Sequence, residues 1–251
     1  MGNCFVNKGC VNVDNNPVRA TDAESISLKQ WSGVVFAYLL VPLILFGISR
    51  DLGWWQAWVF SVMALVVGVG GRALAERNHP GLMAERMTLG REQDVKSWDR
   101  ILAPLLGFGL LYPHVIVAGL DHYYGWTKSF PLWVHTIAFV IILLGYLFAA
   151  WAIFVNRFFS VMVRIQKDRG HQVCDTGPYR YIRHPGYSGN VFSSFCVALF
   201  LDSWWVMIPA VIALIIAVVR TILEDRTLFD ELPGYQAYAS RVRYKFVPGI
   251  W

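Results

Sequence analysis

The sequence has little cysteine, and its cysteines follow no pattern that builds a metal site. Cys4, Cys10, Cys174 and Cys196 form no Cys-x-x-Cys pair, and no histidine lies at metal-ligand spacing from any of them. Structural zinc sites and disulfide scaffolds need such pairs, because their ligands must converge on one point. We therefore expect neither a metal site nor a disulfide framework.

Charged side chains are scarce inside the apolar runs of the chain. No Asp, Glu, Lys or Arg lies well inside a run, and the titratable groups there are His114 and His135. Transporters, pumps and channels usually place ionisable groups at mid-membrane. The sequence therefore argues against transport, and we expect both histidines to be hydrogen-bonded packing groups.

The first 30 residues lack an apolar core. They are rich in Asn and Asp, so we expect a cytoplasmic tail rather than a cleavable signal peptide. The opening Met-Gly-Asn-Cys is similar to an acylation site, but Val6 stands where a myristoylation motif needs Ser or Thr. Acylation of the tail stays open.

Apolar residues are abundant and clustered. They make up 56% of the 251 residues, against about 45 to 50% in soluble domains. Six runs approach the ~20 residues that span a bilayer, which predicts an all-α integral membrane bundle of about six spans ending in a helical hairpin. Asp202 or Ser203 is suited to cap the second helix of that hairpin. The runs cover residues 31–49, 54–70, 101–120, 131–155, 187–201 and 204–223.

The basic residues predict the orientation of this bundle. All but two of the 22 Lys and Arg residues fall in segments on one side of the predicted spans, opposite Arg50 and Lys128. Cytoplasmic loops accumulate such residues, so we expect a multi-pass protein with both termini and the catalytic loops in the cytoplasm. The net charge of +5 then indicates a basic membrane-facing surface and no nucleic-acid partner.

Three regions follow from this topology. Residues 1–30 form the tail, residues 31–155 form a four-span membrane region, and residues 156–251 form the region expected to carry chemistry. Within the membrane region, residues 72–100 place Leu and Met among charges, which predicts a segment lying along the membrane face.

The segment Asn156 to Asn190 organises the C-terminal region. Its core, residues 177–189, reads GPYRYIRHPGYSG, in which Gly and Pro force turns while Arg, His and Tyr supply charge and aromatic faces. This mixture suits a small polar ligand, and an ordinary cytoplasmic loop is the alternative. We expect residues 177–189 to roof a pocket that opens to the cytoplasm.

The last segment places acid beside this basic loop. Glu224 and Asp225 leave the sixth span at its cytoplasmic end and begin a short amphipathic helix that Pro233-Gly234 breaks. Tyr235, Tyr238 and Arg241 then recur along one face of a second helix. A solvated cytoplasmic helix is the alternative.

Together these residues carry a resemblance to a known family. GPYRYIRHPGYSG, a helical hairpin, Glu224-Asp225 and GYQAYASRVRYKFVPGIW resemble the C-terminal half of the isoprenylcysteine carboxyl methyltransferase family and its bacterial and archaeal relatives. Phospholipid N-methyltransferases, thiol S-methyltransferases and the C-terminal part of sterol reductases are more weakly similar. Glu224-Asp225 stands where many relatives have paired glutamates, although both carboxylates are retained.

The resemblance implies an all-helical membrane enzyme that uses S-adenosylmethionine. Glu224 can accept from the ammonium of this cofactor, Arg183 or backbone N–H groups near residues 177–179 can hold its carboxylate, and a Tyr face can stabilise its sulfonium. No metal is required. The expected cofactor-binding residues are Gln166, His171, Gly177, Pro178, Tyr179, Arg183, His184, Pro185, Tyr187, Gly189, Glu224 and Asp225.

The acceptor is less specified. A prenylcysteine-type carboxylate is favoured, with Arg241, then Arg183, orienting it and Tyr187 completing the catalytic set; His184 or Tyr187 would serve as base for a phospholipid amine or a thiol. The fifth run is too short to cross the hydrocarbon layer, so its cytoplasmic start should lie below the headgroups. We therefore expect a lipophilic acceptor to reach this start laterally from the membrane. A non-catalytic scaffold or lipid-binding module and an NADPH-dependent reductase are the rivals. The general base and the oligomeric state stay open.

Overall fold

The computed structural model describes residues 27–78 and 95–251, and the regular elements of these residues are all helical. This confirms the all-α membrane bundle. Most of the predicted tail and of the surface segment 72–100 lies outside the described residues. The helices are α1 (Leu28–Ser49), α2 (Trp55–Asn78), α3 (Asp99–Gly109), α4 (Tyr112–Tyr124), α5 (Leu132–Val155), α6 (Pro185–Phe200), α7 (Met207–Glu231) and α8 (Tyr235–Arg241), with 3₁₀ turns at Lys167–Arg169, Gly177–Arg180 and Trp204–Val206.

Five stretches of the described residues are long and apolar enough to cross a membrane. The predicted span at residues 187–201 is present as α6, but its 16 residues reach only about 24 Å at ~1.5 Å per residue. This is shorter than the ~30 Å hydrocarbon layer, so α6 is a partial span. The five stretches are Leu28–Ser49, Trp55–Leu74, Asp99–Tyr124, Leu132–Val155 and Trp204–Glu231.

The predicted third span is not one continuous helix. Between α3 and α4 the helix is interrupted at residues 110–111, and Pro113 stands in the first turn of α4. Proline has no N–H to donate, and its ring clashes with the carbonyl four residues earlier, which here belongs to Gly109. The predicted span is therefore present within Asp99–Tyr124, but two consecutive helices build it.

Helices α5 and α6 approach each other through small residues. A Cβ on Gly189 would collide with the carbonyl oxygen of Gly145 and the backbone of Ala149. Ser193 Oγ donates across the interface to the carbonyl oxygen of Ile142 at 3.3 Å. The two backbones are therefore nearly in contact, and this fixes the start of α6 against α5.

The turn between α6 and α7 is held by the carboxylate of Asp202. This carboxylate accepts from Gln56 Nε2 at 2.6 Å and from the Phe130 N–H at 2.7 Å, and it lies 2.8 Å from His135 Nε2. His135 is thus a hydrogen-bonded packing group, as expected. His114 is buried in α4, but neither of its ring nitrogens has a hydrogen-bond partner among the described residues, so the expectation is wrong for His114. Neither Asp202 nor Ser203 caps the following helix with its side chain, because Asp202 serves these cross-helix donors instead.

The C-terminal helices differ partly from expectation. Helix α7 is continuous from Met207 to Glu231, so the last span and the predicted amphipathic helix form one element. The break after it is confirmed, because Gly234 has a φ of 85°, a conformation that favours glycine. On α8, Tyr235 and Tyr238 are buried, which excludes a fully solvated helix.

Replacing Asp202 with Ala should lower the free energy of unfolding by roughly 3 kcal/mol, because Gln56, the Phe130 N–H and His135 would lose a buried acceptor. Unfolding of the purified protein in mixed micelles by increasing denaturing detergent measures this change. Asp230→Ala, which removes an exposed carboxylate paired with Arg226, is the control and should change little. Equal stability of the two variants would contradict the assignment.

Candidate functional site

The start of α6 is held by the segment that follows α8. The N–H of Arg183 donates to the carbonyl of Tyr244 at 3.0 Å, and the N–H of His184 donates to the carbonyl of Lys245 at 2.9 Å. Pro185 occupies the first turn, where its missing N–H costs nothing. These bonds fix the direction in which the side chains of Arg183 and His184 leave the backbone.

Glu224 on α7 faces the first turn of α6. The hydroxyl of Tyr187 donates to Glu224 Oε2 at 2.6 Å, and His184 Nδ1 lies 3.9 Å from Glu224 Oε1. The rings of His184 and Tyr187 are nearly parallel, with 9° between their planes and 6.0 Å between their centroids. The predicted meeting of the acidic motif with the RHPGY segment is therefore present.

The carboxylate of Asp225, the residue after Glu224, is contacted by donors from several segments of the chain. The Tyr235 hydroxyl donates to Oδ1 at 2.8 Å, and His184 Nε2 is 3.4 Å from the same atom. Arg183 and Lys245 approach Oδ2 at 3.2 Å and 3.4 Å. Burial, reinforced by the negative charge of Asp225, raises the pKa of Tyr235 far above its ordinary value, so its hydroxyl stays protonated and donates.

A cavity that is partly open to solvent lies against these residues. One side is formed by residues 156–164 and 171–174, and the other by Tyr179, the residues around the start of α6, Glu224 and the residues from 228 to 238. The segment 177–189 therefore supplies a wall of the cavity. The preceding loop supplies the other wall, of which the sequence analysis predicted His171 but not residues 156–164.

The cavity wall carries a guanidinium, that of Arg183, and a carboxylate, that of Glu224, and both can form further hydrogen bonds. Arg183 Nε is buried and has no hydrogen-bond partner among the described residues. The Glu224 side chain is 22% exposed, and one of its oxygens is engaged by Tyr187. Because buried charged groups are normally fully paired, this arrangement suits a ligand that carries both an anionic and a cationic group.

His171 is held in one protonation state on the loop side of the cavity. Its Nδ1 accepts from the Gln166 N–H at 3.3 Å, and its ring stacks on Phe158 with 4.7 Å between centroids. Burial, with the charges of Arg164 and Arg169, lowers the pKa of His171 to about 4. The imidazole is therefore neutral at neutral pH, and because Nδ1 accepts, the proton is on Nε2.

The structure brings half of the expected cofactor-binding residues to the cavity, although their binding roles stay predictions. Pro185 instead begins α6, and Asp225 is engaged beneath the wall. Gln166 is buried behind His171, where its Nε2 donates to the Phe158 carbonyl at 2.8 Å. The cavity-lining members of the expected set are His171, Tyr179, Arg183, His184, Tyr187 and Glu224.

The remaining expected residues have packing environments. Gly177, with a φ of 56°, and Pro178 form a 3₁₀ turn, and a Cβ on Gly177 would touch Val155. Gly189 makes the close contact with α5. Arg241 is 66% exposed and pairs with Asp175 at 3.2 Å, away from the cavity wall. Its acceptor-orienting role stays a prediction, and of the two expected arginines Arg183 is the one at the wall.

Several cavity residues were not anticipated as site residues. Tyr235 and Tyr238 had a spacing signal on α8, and Tyr238 donates to the carbonyl of Tyr179 at 2.7 Å. In the sequence analysis, Arg164 served only as one of the positive charges that predict the orientation of the bundle. Phe158 was only one residue of the segment Asn156 to Asn190. Residues 156–164 have no regular secondary structure, so no periodicity could have assigned them to a wall.

Comparison with known proteins points to one group. Residues 133–231 match the family model described as phospholipid methyltransferase, which covers about two fifths of the chain and includes α5, α6 and α7. This confirms the recognition, because the isoprenylcysteine-type enzymes belong to the same group of integral membrane methyltransferases. No curated protein matches the chain. The match supports a multi-pass membrane methyltransferase without distinguishing its acceptor.

His171 should make the protein sensitive to mild acid. Its folded-state pKa, about 4, is below its ordinary value of 6.5, so the unfolded chain binds this proton more readily. Its contribution to stability is then lost as the pH falls from about 6.5 toward 4. His171→Gln should reduce the fall in thermal midpoint between about pH 7 and pH 5, whereas exposed Gln172→Ala should not. Identical pH dependence in wild type and His171→Gln would contradict this.

Proposed function

We propose that this chain, whose residues 133–231 match the phospholipid methyltransferase family, uses S-adenosylmethionine to methylate a lipophilic acceptor with a polar reactive head. The family match and the five membrane-length helices support the membrane methyltransferase. The observation that carries the cofactor assignment is the presence of the Glu224 carboxylate and the Arg183 guanidinium in the lining of one cavity.

The residues at the wall fit the charges of this cofactor. Arg183 Nε is buried without a partner among the described residues, so an anionic group would satisfy it, and the carboxylate of S-adenosylmethionine is one. Glu224 can accept from the ammonium. Tyr179, Tyr235 or Tyr238, which also line the cavity, can offer a ring face to the sulfonium. Family members of this type generally use this cofactor.

When bound, S-adenosylmethionine supplies an electrophilic methyl group. The residues of the chain then have to bind the cofactor and the acceptor, orient them for in-line displacement, and exclude water. Such a displacement gains most of its rate when the reacting atoms are held at near-attack distance in a dry site. The loop residues 156–164 shield one side of the cavity. His184, with Nε2 directed toward Asp225, is positioned to take a proton if the acceptor has one to lose.

Two acceptor classes are supported by different observations. A phospholipid amine is favoured by the family match and by the buried His184–Asp225 contact, because a protonated amine must lose a proton to a base before its nitrogen can attack the methyl group. A prenylcysteine-type carboxylate is favoured by the resemblance of residues 156–251, and it needs only a guanidinium such as Arg183 to orient it. A thiol acceptor would also use His184.

The membrane geometry supports lateral delivery of the acceptor. Helix α6 reaches only about 24 Å, so one of its ends lies beneath the headgroups. Tyr187 in its first turn lines the cavity, which would bring the reacting head near the acyl boundary. The charge asymmetry supports cytoplasmic termini and a cytoplasmic cofactor opening. Unwound backbone next to α6 at that depth is tolerated where protein or a ligand covers it.

Replacing Glu224 with Gln should weaken cofactor binding by roughly 1.5 to 3 kcal/mol, the scale of a hydrogen bond to a charged group. Glutamine still accepts from Tyr187, so the wall stays intact while the charge is lost. Calorimetric titration of the purified full-length protein with S-adenosylmethionine measures this, and surface Glu231→Gln is the matched control. Wild-type affinity in Glu224→Gln would refute the site, and binding of NADPH alone would favour the reductase rival.

A long-chain acceptor should have a much higher kcat/KM than its short-chain version. Its chain partitions into the membrane, and the acceptor is proposed to reach the start of α6 laterally from there. Transfer of a labelled methyl group to ethanolamine phospholipids and to prenylated cysteine carboxylates, each with short and long chains, measures this. The same panel separates the amine from the carboxylate class. Equal kcat/KM for short and long chains would overturn lateral delivery, and no transfer to any acceptor would favour a scaffold.

A further inference from the structure

Asp99 and Arg220 form the most deeply buried ion pair in the described part of the chain. Asp99, the first residue of α3, is 0% exposed, and Arg220 on α7 is 5% exposed. Arg220 Nε donates to Asp99 Oδ1 at 2.6 Å, and Nη2 donates to Oδ2 at 2.8 Å. The pair joins residues that are 121 positions apart in the sequence.

Such a pair is not explained by stability alone. Taking two charges out of water has a large desolvation cost, and apolar residues of similar volume often stabilise a protein equally well or better. Asp99 gains a little from standing in the first turn of α3, where an acid favours the helix dipole. The other contacts of the pair are more informative, because they all lead to the cavity described above.

The first set of contacts holds the loop side of the cavity. Arg220 Nη2 donates to the carbonyl of Val161 at 2.5 Å, and the N–H of Val163 donates to Asp99 Oδ2 at 2.6 Å. Lys96 N–H donates to the carbonyl of Val163 at 3.1 Å. Met162 and Val163 line the cavity, so the loop wall is pinned at this place to the pair.

The second set of contacts holds the opposite wall. The guanidinium carbon of Arg220 lies 5.2 Å from the centroid of the Tyr187 ring, within the range of cation–π attraction. The hydroxyl of that ring donates to Glu224 Oε2 at 2.6 Å. Arg220 and Glu224 are four residues apart on α7 and so project from the same face.

We propose that Asp99 and Arg220 are positioning residues that set the separation of the two cavity walls and the orientation of Glu224. The inference rests on the proposed function, because Glu224 is assigned there to the cofactor ammonium. Asp99 lies outside residues 133–231, so the site is completed by a residue from beyond the family match. Neither residue touches the reacting groups; both act through Val163, Tyr187 and Glu224.

The decisive variant removes both charges together. Asp99→Asn alone would bury the Arg220 charge without its partner and could prevent folding. The double variant Asp99→Leu/Arg220→Met has no buried charge and nearly conserved volume, so it should unfold at a temperature close to that of wild type. If the pair positions the site, the double variant should nevertheless bind S-adenosylhomocysteine about tenfold more weakly, the scale of one charge-assisted hydrogen bond.

Three measurements on the purified full-length protein test this: the Kd for S-adenosylhomocysteine by calorimetry, the thermal midpoint, and amide hydrogen exchange of residues 161–164. We expect weaker binding and faster exchange in the double variant at a near wild-type midpoint. Asp202→Asn, which disturbs a buried carboxylate at the α6–α7 turn, is the control and should lower the midpoint without changing the Kd.

The outcomes separate the two proposals. If the wild-type protein binds S-adenosylhomocysteine and the double variant shows the same Kd and the same hydrogen exchange, the positioning role is overturned and the proposed function stands. A wild-type protein that binds neither S-adenosylhomocysteine nor S-adenosylmethionine overturns the proposed function and the positioning role with it. A Kd that changes equally in Asp202→Asn and in the double variant assigns the effect to stability and also overturns the positioning role.

Discussion

The buried carboxylate of Asp225 is the interaction on which the candidate site depends. Its two oxygens are approached by Arg183, His184, Tyr235 and Lys245, which come from the start of α6, from α8 and from the segment after α8. Because an unpaired buried carboxylate would be costly, these four donors must converge on it. Their convergence orients Arg183 and His184 toward the cavity while Glu224, one residue earlier, stays available to a ligand.

Much of this could be predicted from sequence, because the strongest signals are local. The Gly- and Pro-rich segment and the acidic pair are both recognisable from composition. They were expected to meet because the acidic pair lies at the cytoplasmic end of the last span, beside that segment. Tyr187 and Glu224 were expected at one site, and they share a hydrogen bond. The helices were predictable for the same reason, since runs near membrane length have few other outcomes.

The failures have physical causes that no local pattern carries. Residues 156–164 have no periodicity, and one of them, Val163, donates its N–H to Asp99, which is far away in the chain. Gly189 was expected to bind the cofactor, and that role stays a prediction, but no local pattern indicated that its missing side chain also permits the close approach of α5. Pro113 interrupts a run whose hydropathy alone indicates one helix. In each case a tertiary contact or a single backbone constraint decides against the local reading.

The burial of Arg220 against Asp99 limits how freely this architecture can be recombined. The counter-ion of Arg220 is supplied by α3, while Arg220 itself lies in the segment that matches the family. A matched segment grafted onto an unrelated set of N-terminal helices would carry a buried guanidinium with nothing to neutralise it. Any N-terminal helices joined to this segment would therefore have to supply an acid where Asp99 now meets α7, or Arg220 would have to be replaced by an uncharged residue.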